Sequence, residues 1–262
     1  MGSELVVVGT GIQIGRDLTK TSRHHIESAD KVFYLVSDPI AARTIVDLNE
    51  SAESLHTYYN TGKRRLDTYH EMVEGIMTVL RQGKKVCVAV YGHPGIFAYP
   101  MHVAIKRARE ERIPASMLPA VSSIDCLIAD LGLDPAETGL QIYDASDFVV
   151  SRRNFDPTTA LVLLQIDVVG DPDYWPQHDC AGLPLLRERL IEHYGADHVA
   201  TIYSASEFVW GSATIRTLPL GTLSARGIDS GSILVIRPAI GRTMDERMTQ
   251  RLDALLASAR KN

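Results

Sequence analysis

The segment Val86–Phe97, Val-Cys-Val-Ala-Val-Tyr-Gly-His-Pro-Gly-Ile-Phe, constrains this chain more than any other stretch. A short apolar, β-branched run reads as a buried strand, and it breaks at once into Tyr91-Gly92-His93-Pro94-Gly95. Gly92 and Gly95 admit backbone angles closed to other residues, and Pro94 fixes one dihedral between them. The chain therefore leaves the carboxyl end of a core strand through a stiff turn that presents a phenol and an imidazole. An ordinary strand-to-helix turn has the same local grammar. In an open α/β sheet, the same edge is where ligands bind.

Strand and helix signals alternate around that turn. Leu5–Val8 reads as a first strand ending at Gly9-Thr10-Gly11. A helix from about Ser22 to Ser28, a strand Val32–Val36 and a helix after Pro39 follow. Arg65–Arg81 places Leu66, Tyr69, Met72, Val73, Ile76, Val79 and Leu80 on one helical stripe, with Gly83 behind it. Val103–Arg112 reads as a helix with a charged, solvated face, and Ala115–Leu118 as a short strand. Ser122 with Asp125 makes a capping-box start for a helix to Leu131, stopped at Gly132. This order predicts an α/β fold with a mainly parallel N-terminal sheet and helices on both faces.

The pattern changes near residue 135. Gln141–Tyr143 and Thr159–Ile166 read as strands, then a polar loop, Asp171–Pro184, leads to a helix near Leu185–Tyr194. Strands at Ala200–Ser204, Thr214–Leu218 and Ser232–Arg237 precede an amphipathic helix, Asp245–Ala259. The second sheet should be mixed, and the chain should divide into residues 1–135 and 136–262.

Composition narrows the function classes. With 27 basic and 32 acidic residues the net charge is −5, and no basic run is interleaved with aromatics, so nucleic acid is not the expected partner. No apolar stretch reaches the roughly 20 residues of a membrane span. Cys87, Cys126 and Cys180 lack CxxC spacing, which points to a reducing cytoplasm. The nine histidines form no metal set, since there is no HExxH and the adjacent His24 and His25 point apart. Gly9-x-Gly11 lacks the third glycine of a dinucleotide fingerprint, because position 14 is Ile14 and Gly15 is displaced by one.

A second unusual cluster is Tyr58-Tyr59-Asn60-Thr61-Gly62-Lys63-Arg64-Arg65-Leu66-Asp67-Thr68-Tyr69. Arg65 and Tyr69 are four apart at a helix start, so their side chains are able to meet. The spacing admits two readings. One is a core tyrosine beside a snorkelling arginine. The other is a phenol held by a fixed guanidinium, which lowers its pKa and suits it to proton abstraction.

Together Val8-Gly9-Thr10-Gly11, Tyr91-Gly92-His93-Pro94-Gly95 and Leu118-Pro119-Ala120-Val121-Ser122-Ser123 resemble the S-adenosylmethionine-dependent tetrapyrrole-methylase superfamily. Within it, the chain is similar to the borosin peptide backbone α-N-methyltransferases. Tyr59–Tyr69, Tyr91–Phe97, Ala129–Pro135 and Tyr143–Phe148 carry that likeness, which runs from residue 4 to about 240. Ala120 stands where the family usually has glycine. Fungal members carry their substrate as a C-terminal extension; this sequence stops at Asn262, so the expectation is the split bacterial form acting on a separate precursor peptide.

The resemblance implies iterative N-methylation of backbone amides, with Tyr59, Arg65, Tyr69 and Tyr91 around the reacting amide and no metal. It implies S-adenosylmethionine, leaving as S-adenosylhomocysteine, bound by Tyr91, His93, Ile96, Phe97, Ser122, Ser123 and Gln165. From the second half, Tyr203, Ala205, Ser232 and Ile233 would join them. It also implies a homodimer, two subunits to two precursors, with exposed aromatics such as Trp175 and Trp210 on its surface. The alternatives are a corrin-precursor methylase, which needs a basic cleft, and a non-catalytic module that binds cofactor or peptide.

Overall fold

Two five-stranded sheets organise the chain, one built from strands up to Leu118 and the other from strands beginning at Leu140. The structure, a computed structural model, describes residues 2–151, 153–241 and 243–260. The N-terminal half begins β1 (Glu4–Gly9), α1 (Ile14–Asp17), α2 (Lys20–Ser28), β2 (Lys31–Leu35), α3 (Pro39–Leu48) and β3 (Glu53–Ser54). It continues α4 (Arg65–Arg81), β4 (Lys85–Val90), α5 (Tyr99–Glu110), β5 (Ala115–Leu118) and α6 (Ser123–Leu131). Next come α7 (Pro135–Thr138), β6 (Leu140–Asp144), α8 (Ala145–Val150), β7 (Ala160–Leu164) and α9 (Leu183–Tyr194). The chain closes with β8 (Val199–Ser204), β9 (Thr214–Pro219), β10 (Ile233–Ile236) and α10 (Glu246–Ala259).

The first sheet is parallel throughout, in the order β3-β2-β4-β1-β5. Its central strands are apolar over Leu5–Val8 and Val86–Val90 because each face has its own helices to cover it. Leu5, Val7, Val86, Val88 and Val90 pack with Met72, Ile76 and Leu80 of α4 and Met101 and Ala104 of α5. Val6, Val8, Cys87 and Ala89 pack instead with Ile26 of α2 and Ala41 and Ile45 of α3. Each fully buried aliphatic side chain contributes about 1.5–3 kcal/mol.

The second sheet runs β6-β7-β10-β8-β9, with β6 and β7 parallel and the other pairs antiparallel. One face holds Leu161, Leu163 and Leu234 against Leu183, Leu186 and Leu190 of α9. The other sets Val162, Ile233, Val235 and Tyr203 against Ile124 and Leu127 of α6, so α6 is the wedge between the sheets. The Tyr203 hydroxyl donates to Asp130 at 2.7 Å across that seam. Burial, then the Asp130 hydrogen bond, pushes the Tyr203 phenol up.

Helix ends explain where the elements depart from the sequence expectation. α5 starts at Tyr99 and α9 at Leu183 because Pro100 and Pro184 fit a first helical turn and recruit the residues ahead of them. β7 stops at Leu164 because Gln165 turns into the left-handed region, φ +59°. Leu66 leaves the buried stripe of α4 and is 45% exposed. Among the described residues no helix is long and apolar enough to cross a membrane.

The chain leaves β1 towards β2 and leaves β4 towards β5, on opposite sides of the central pair, so a crevice opens at the carboxyl ends of these two strands. Gly9 sits at its floor. A Cβ there would overlap the Gly92 carbonyl and stand 2.5 Å from Ala120 Cβ and 2.8 Å from Pro94 Cδ. Gly92 N donates to Gly11 O at 3.0 Å, tying the two turns together. Ile12 N and Gln13 N donate to Asp17 Oδ2 at 3.1 and 2.9 Å. Burial works against the Asp17 carboxylate, yet Arg16 and these backbone donors hold it below the usual range.

Two stability predictions follow from these contacts. Gly9→Ala should cost about 2 kcal/mol or more by overpacking, read from urea unfolding of the purified chain. Tyr203→Phe should cost about 1.5 kcal/mol, since it removes a hydrogen bond to a charged group without leaving a cavity. An unchanged unfolding midpoint in either variant contradicts the corresponding packing account.

Candidate active site

Tyr58 and Tyr59 end a short 3-10 turn, Leu55–Tyr58, that rests on α4. Gly75 makes this seat possible, because a Cβ on it would overlap the Tyr58 hydroxyl. Tyr59 then faces the first turn of α4: its ring meets Tyr69 edge-on at 6.5 Å. Tyr69 in turn lies 6.2 Å from Tyr99. Arg65 opens α4 and donates from Nη1 to Asp171 O at 2.6 Å. Tyr174, on the same loop as Asp171, brings its ring to 4.6 Å from that of Tyr59. Tyr59, Arg65 and Tyr69 thus come together, and Tyr174 and Tyr99 join them.

Arg65 acts to lower the Tyr59 pKa, but burial acts more strongly and Tyr69 adds to it, so the phenol is pushed well above its ordinary value. Tyr59 is a proton-bearing donor and not a ready phenolate.

Tyr91 stands apart from this trio. Strand alternation along β4 turns it to the face packed by Val8 and Ala89, whereas Tyr59 and Tyr69 pack with the core on the opposite face. Burial, then the nearby Glu207 carboxylate, pushes the Tyr91 phenol up. Glu207 also accepts from Ser37 Oγ at 3.0 Å. Gln13 holds that loop, donating from Nε2 to Ser206 O at 3.0 Å and Phe208 O at 3.1 Å. The second half is thereby pinned over the crevice.

The remaining residues of the expected cofactor set take distinct positions. His93 Nδ1 accepts from Gly95 N at 3.0 Å, so its imidazole braces the turn it belongs to. Ile96 and Phe97 are exposed, and Phe97 holds a left-handed φ of +52°. Ser122 is buried and caps α6 reciprocally with Asp125, leaving Ser123 at the first helical position. Gln165 is exposed at the end of β7. The side chains of Tyr203, Ser232 and Ile233 are buried, with Ser232 Oγ accepting from Asp229 N at 2.9 Å, so what these residues offer outward is backbone. Ala205 begins the loop that carries Glu207. Non-glycine residues in the left-handed region at Phe97 and Gln165 mark strained positions of the kind that gather at ligand sites.

Sequence reasoning missed Tyr174, Tyr99 and Glu207. Trp175 was visible as an exposed aromatic, and it lies against Gly62, but no periodicity links residue 174 to residue 59. Among the described residues no group of three or more His, Cys, Asp or Glu is placed to hold a metal ion.

Residues 4–208 match the family model of the tetrapyrrole (corrin/porphyrin) methylases. The chain is 41% identical to the methyltransferase and ribosomally synthesized cyclic peptide dendrothelin A precursor of Dendrothele bispora, over 77% of this chain and 49% of the relative. It is 40% identical to the corresponding omphalotin A precursor protein of Omphalotus olearius, over the same 77% and 49%. It is 34% identical to the gymnopeptides precursor protein of Gymnopus fusipes, over 97% of this chain and 61% of the relative. The chain thus spans between half and three fifths of the length of these curated relatives. Among solved structures, uroporphyrin-III-C-methyltransferase from Thermus thermophilus superposes with a TM-score of 0.63 at 17% identity, over 91% of this chain and 94% of that one. A precorrin-6Y methylase from Archaeoglobus fulgidus gives 0.56 at 16% identity, over 92% of this chain and 100% of that one. At such identities the likeness is one of fold. By the family model and the matched motifs, this chain belongs to the tetrapyrrole (corrin/porphyrin) methylase family.

Proposed function

We propose that this chain transfers methyl groups from S-adenosylmethionine to successive backbone amide nitrogens of a precursor peptide. The observation that carries the reading is the half-buried cluster of Tyr59, Tyr69 and Tyr174 around Arg65. An amide nitrogen is a poor nucleophile because its lone pair is delocalised into the carbonyl. Methylating it requires charge on the carbonyl oxygen to be stabilised and the N–H proton to be removed. Arg65, planar and permanently charged, suits the developing oxygen charge, and Tyr59, held protonated by burial, adds a second donor to it. Tyr69, the other member of the pair, would act in its phenolate form, taking the amide proton as the nitrogen accepts the methyl group and the sulfonium leaves as a thioether.

The crevice residues fit the cofactor by their chemistry. Tyr91, His93, Ser123 and Gln165 supply polar groups, and Ile96 and Phe97 supply exposed apolar surface, the mixture a nucleoside bearing an amino-acid tail requires. Ser122, Tyr203, Ala205, Ser232 and Ile233 would contribute through their backbone. When bound, S-adenosylmethionine provides an electrophilic methyl group and departs as S-adenosylhomocysteine. On this reading residues 1–135 and 136–262 are the two domains whose junction is the cleft.

The neighbouring cations weigh against a polyanionic tetrapyrrole substrate. Lys63 is paired with Glu71 at 2.5 Å, so its charge is already matched by a carboxylate. The cyclic-peptide precursor names of the relatives support a peptide instead. We propose a separate precursor as the substrate, and a homodimer carrying two of them. Support for the dimer comes from α10, where Met248, Leu252, Leu255 and Leu256 form one exposed stripe and no described residue is buried. Three free cysteines suit a reducing cytoplasm.

Methylation is tested with an unstructured peptide bearing an apolar C-terminal half, supplied separately and, in parallel, tethered to the chain. Tandem mass spectrometry should find methyl groups on backbone nitrogens. Arg65→Ala and Tyr69→Phe should cut turnover by about a hundredfold or more, while calorimetry shows unchanged S-adenosylhomocysteine binding. Methyl groups confined to side chains, or full activity in both variants, would overturn the mechanism. Modification of the tethered peptide but not the free one would count against a separate precursor. Light scattering at micromolar concentration should give twice the monomer mass, and Leu252→Glu with Leu255→Glu should halve it. A monomeric wild type would remove the dimer from the proposal.

A further inference from the structure

The loop between β7 and α9 crosses from the second half of the chain to the turn that opens α4. Gly62 N donates to Tyr174 O, Tyr174 N to Lys63 O, and Arg65 N to Pro172 O, each at 2.9 Å. Arg64 and Asp173 form an antiparallel bridge within the same ladder. The Arg65 side chain adds its bond to Asp171 O. Trp175 lies over Gly62, where a Cβ would stand 3.5 Å from its ring, and Gly62 takes the left-handed φ of +76° that the turn needs. Residues 171–175 therefore act as a strap, with four hydrogen bonds to residues 62–65, two of which make the Arg64–Asp173 bridge.

Two consequences bear on the chemistry. A guanidinium with one Nη1 hydrogen engaged by a fixed carbonyl has its plane set, and its other N–H groups stay available to a substrate oxygen. Tyr59 is also held on two sides, edge-on by Tyr69 and, at the shorter distance of 4.6 Å, by Tyr174. Aromatic pairs at such separations are directional, so the Tyr174 ring sets the tilt of the Tyr59 ring and covers it from water.

We propose that Tyr174 is a positioning residue of this site, its ring carried in by the Asp171–Trp175 strap to fix the Tyr59 phenol beside Arg65. The role rests on the peptide-methylation reading. It makes the second half a contributor to the reaction centre as well as to the cofactor crevice. The ring performs it and the hydroxyl does not, so phenylalanine should substitute and alanine should not.

The test compares Tyr174→Ala, Tyr174→Leu and Tyr174→Phe in the full chain with the tethered apolar peptide. Tyr174→Ala should lower kcat about tenfold or more, since small misplacements of reacting groups cost that much, and should change KM for the peptide less. Calorimetric affinity for S-adenosylhomocysteine should stay within about twofold, which separates misplacement from misfolding. Tyr174→Phe should recover wild-type turnover. Should the alanine variant fail to bind S-adenosylhomocysteine, Tyr174→Leu carries the same expectation with less loss of volume. Wild-type kcat in the alanine or leucine variant overturns the proposal, as does equal impairment in the phenylalanine variant, which would assign the chemistry to the hydroxyl. Hydrogen exchange at the amides of Gly62 and Arg65 requires no substrate and should accelerate about tenfold in Tyr174→Ala and not in Tyr174→Phe. Unchanged exchange also overturns it. If the wild-type chain leaves the peptide unmethylated, the peptide reading fails, and the exchange measurement still decides whether Tyr174 holds the strap.

Discussion

The contact on which the rest of the molecule depends is the approach of three backbone turns at Gly9. β1 and β4 lie side by side at the centre of the first sheet, and their chains depart in opposite directions. That divergence opens a crevice, but it also brings the turns after β1, β4 and β5 within van der Waals reach. Gly9 has no Cβ, and the Gly92 carbonyl, Pro94 ring and Ala120 methyl occupy the space that one would fill. The stiffness of the Tyr91–Gly95 turn is therefore a packing requirement before it is a binding feature. Ala120 is accommodated because its methyl points at a residue with no side chain. An Ala120 methyl and a Gly9 methyl are mutually exclusive at the 2.5 Å separation that the backbones impose.

The two halves meet through polar contacts set on an apolar wedge. α6 supplies the apolar part, with Ile124 and Leu127 against the second sheet. Tyr203 to Asp130, Gln13 to Ser206 and Phe208, and the Glu207 contact to Ser37 supply the directional part. The strap at residues 171–175 is a third connection, reaching the opposite face of the first sheet from Tyr91. Hydrogen bonds of this kind contribute about 1 kcal/mol each in net stability, too little to drive association but enough to fix register. Burial supplies the driving force, and the polar contacts select one relative placement of the halves.

Much of this was legible in the sequence, and the boundary of legibility has a physical cause. Signals that act within a few residues were readable: Arg65–Arg81 as α4, Ala115–Leu118 as β5, and the reciprocal cap of Ser122 and Asp125. The alternation of strands and helices gave the parallel sheet, because a parallel pair requires a crossover. Placements that depend on tertiary contact were not readable. Leu66 has the spacing of the buried stripe yet is exposed at the start of α4. At Tyr59 burial outweighs the neighbouring Arg65, and the Tyr174 ring that packs on it arrives from more than a hundred residues away. Tyr91 shares a motif with the crevice but faces away from Tyr59, a consequence of the two-residue period of β4.

The fold by itself does not choose a substrate. The uroporphyrin and precorrin methylases superpose on this chain at under a fifth identity, so what is common to them is the fold. What distinguishes this chain is placed on the frame in segments outside both sheets. The turn at residues 55–65 brings Tyr59 and Arg65 to the start of α4, and the strap at residues 171–175 brings Tyr174. Neither segment pairs as a strand in the two sheets, although Leu55 and Tyr59 anchor the first of them on the core. Yet the two are bonded to one another more densely than to the sheets beneath them. A pair of irregular segments that stabilise each other in this way concentrates aromatic and cationic groups at one spot, on the side of the first sheet away from Tyr91. That arrangement holds Lys63 against Glu71 and the Arg65 guanidinium against a backbone carbonyl, which leaves the remaining Arg65 N–H groups as hydrogen-bond donors.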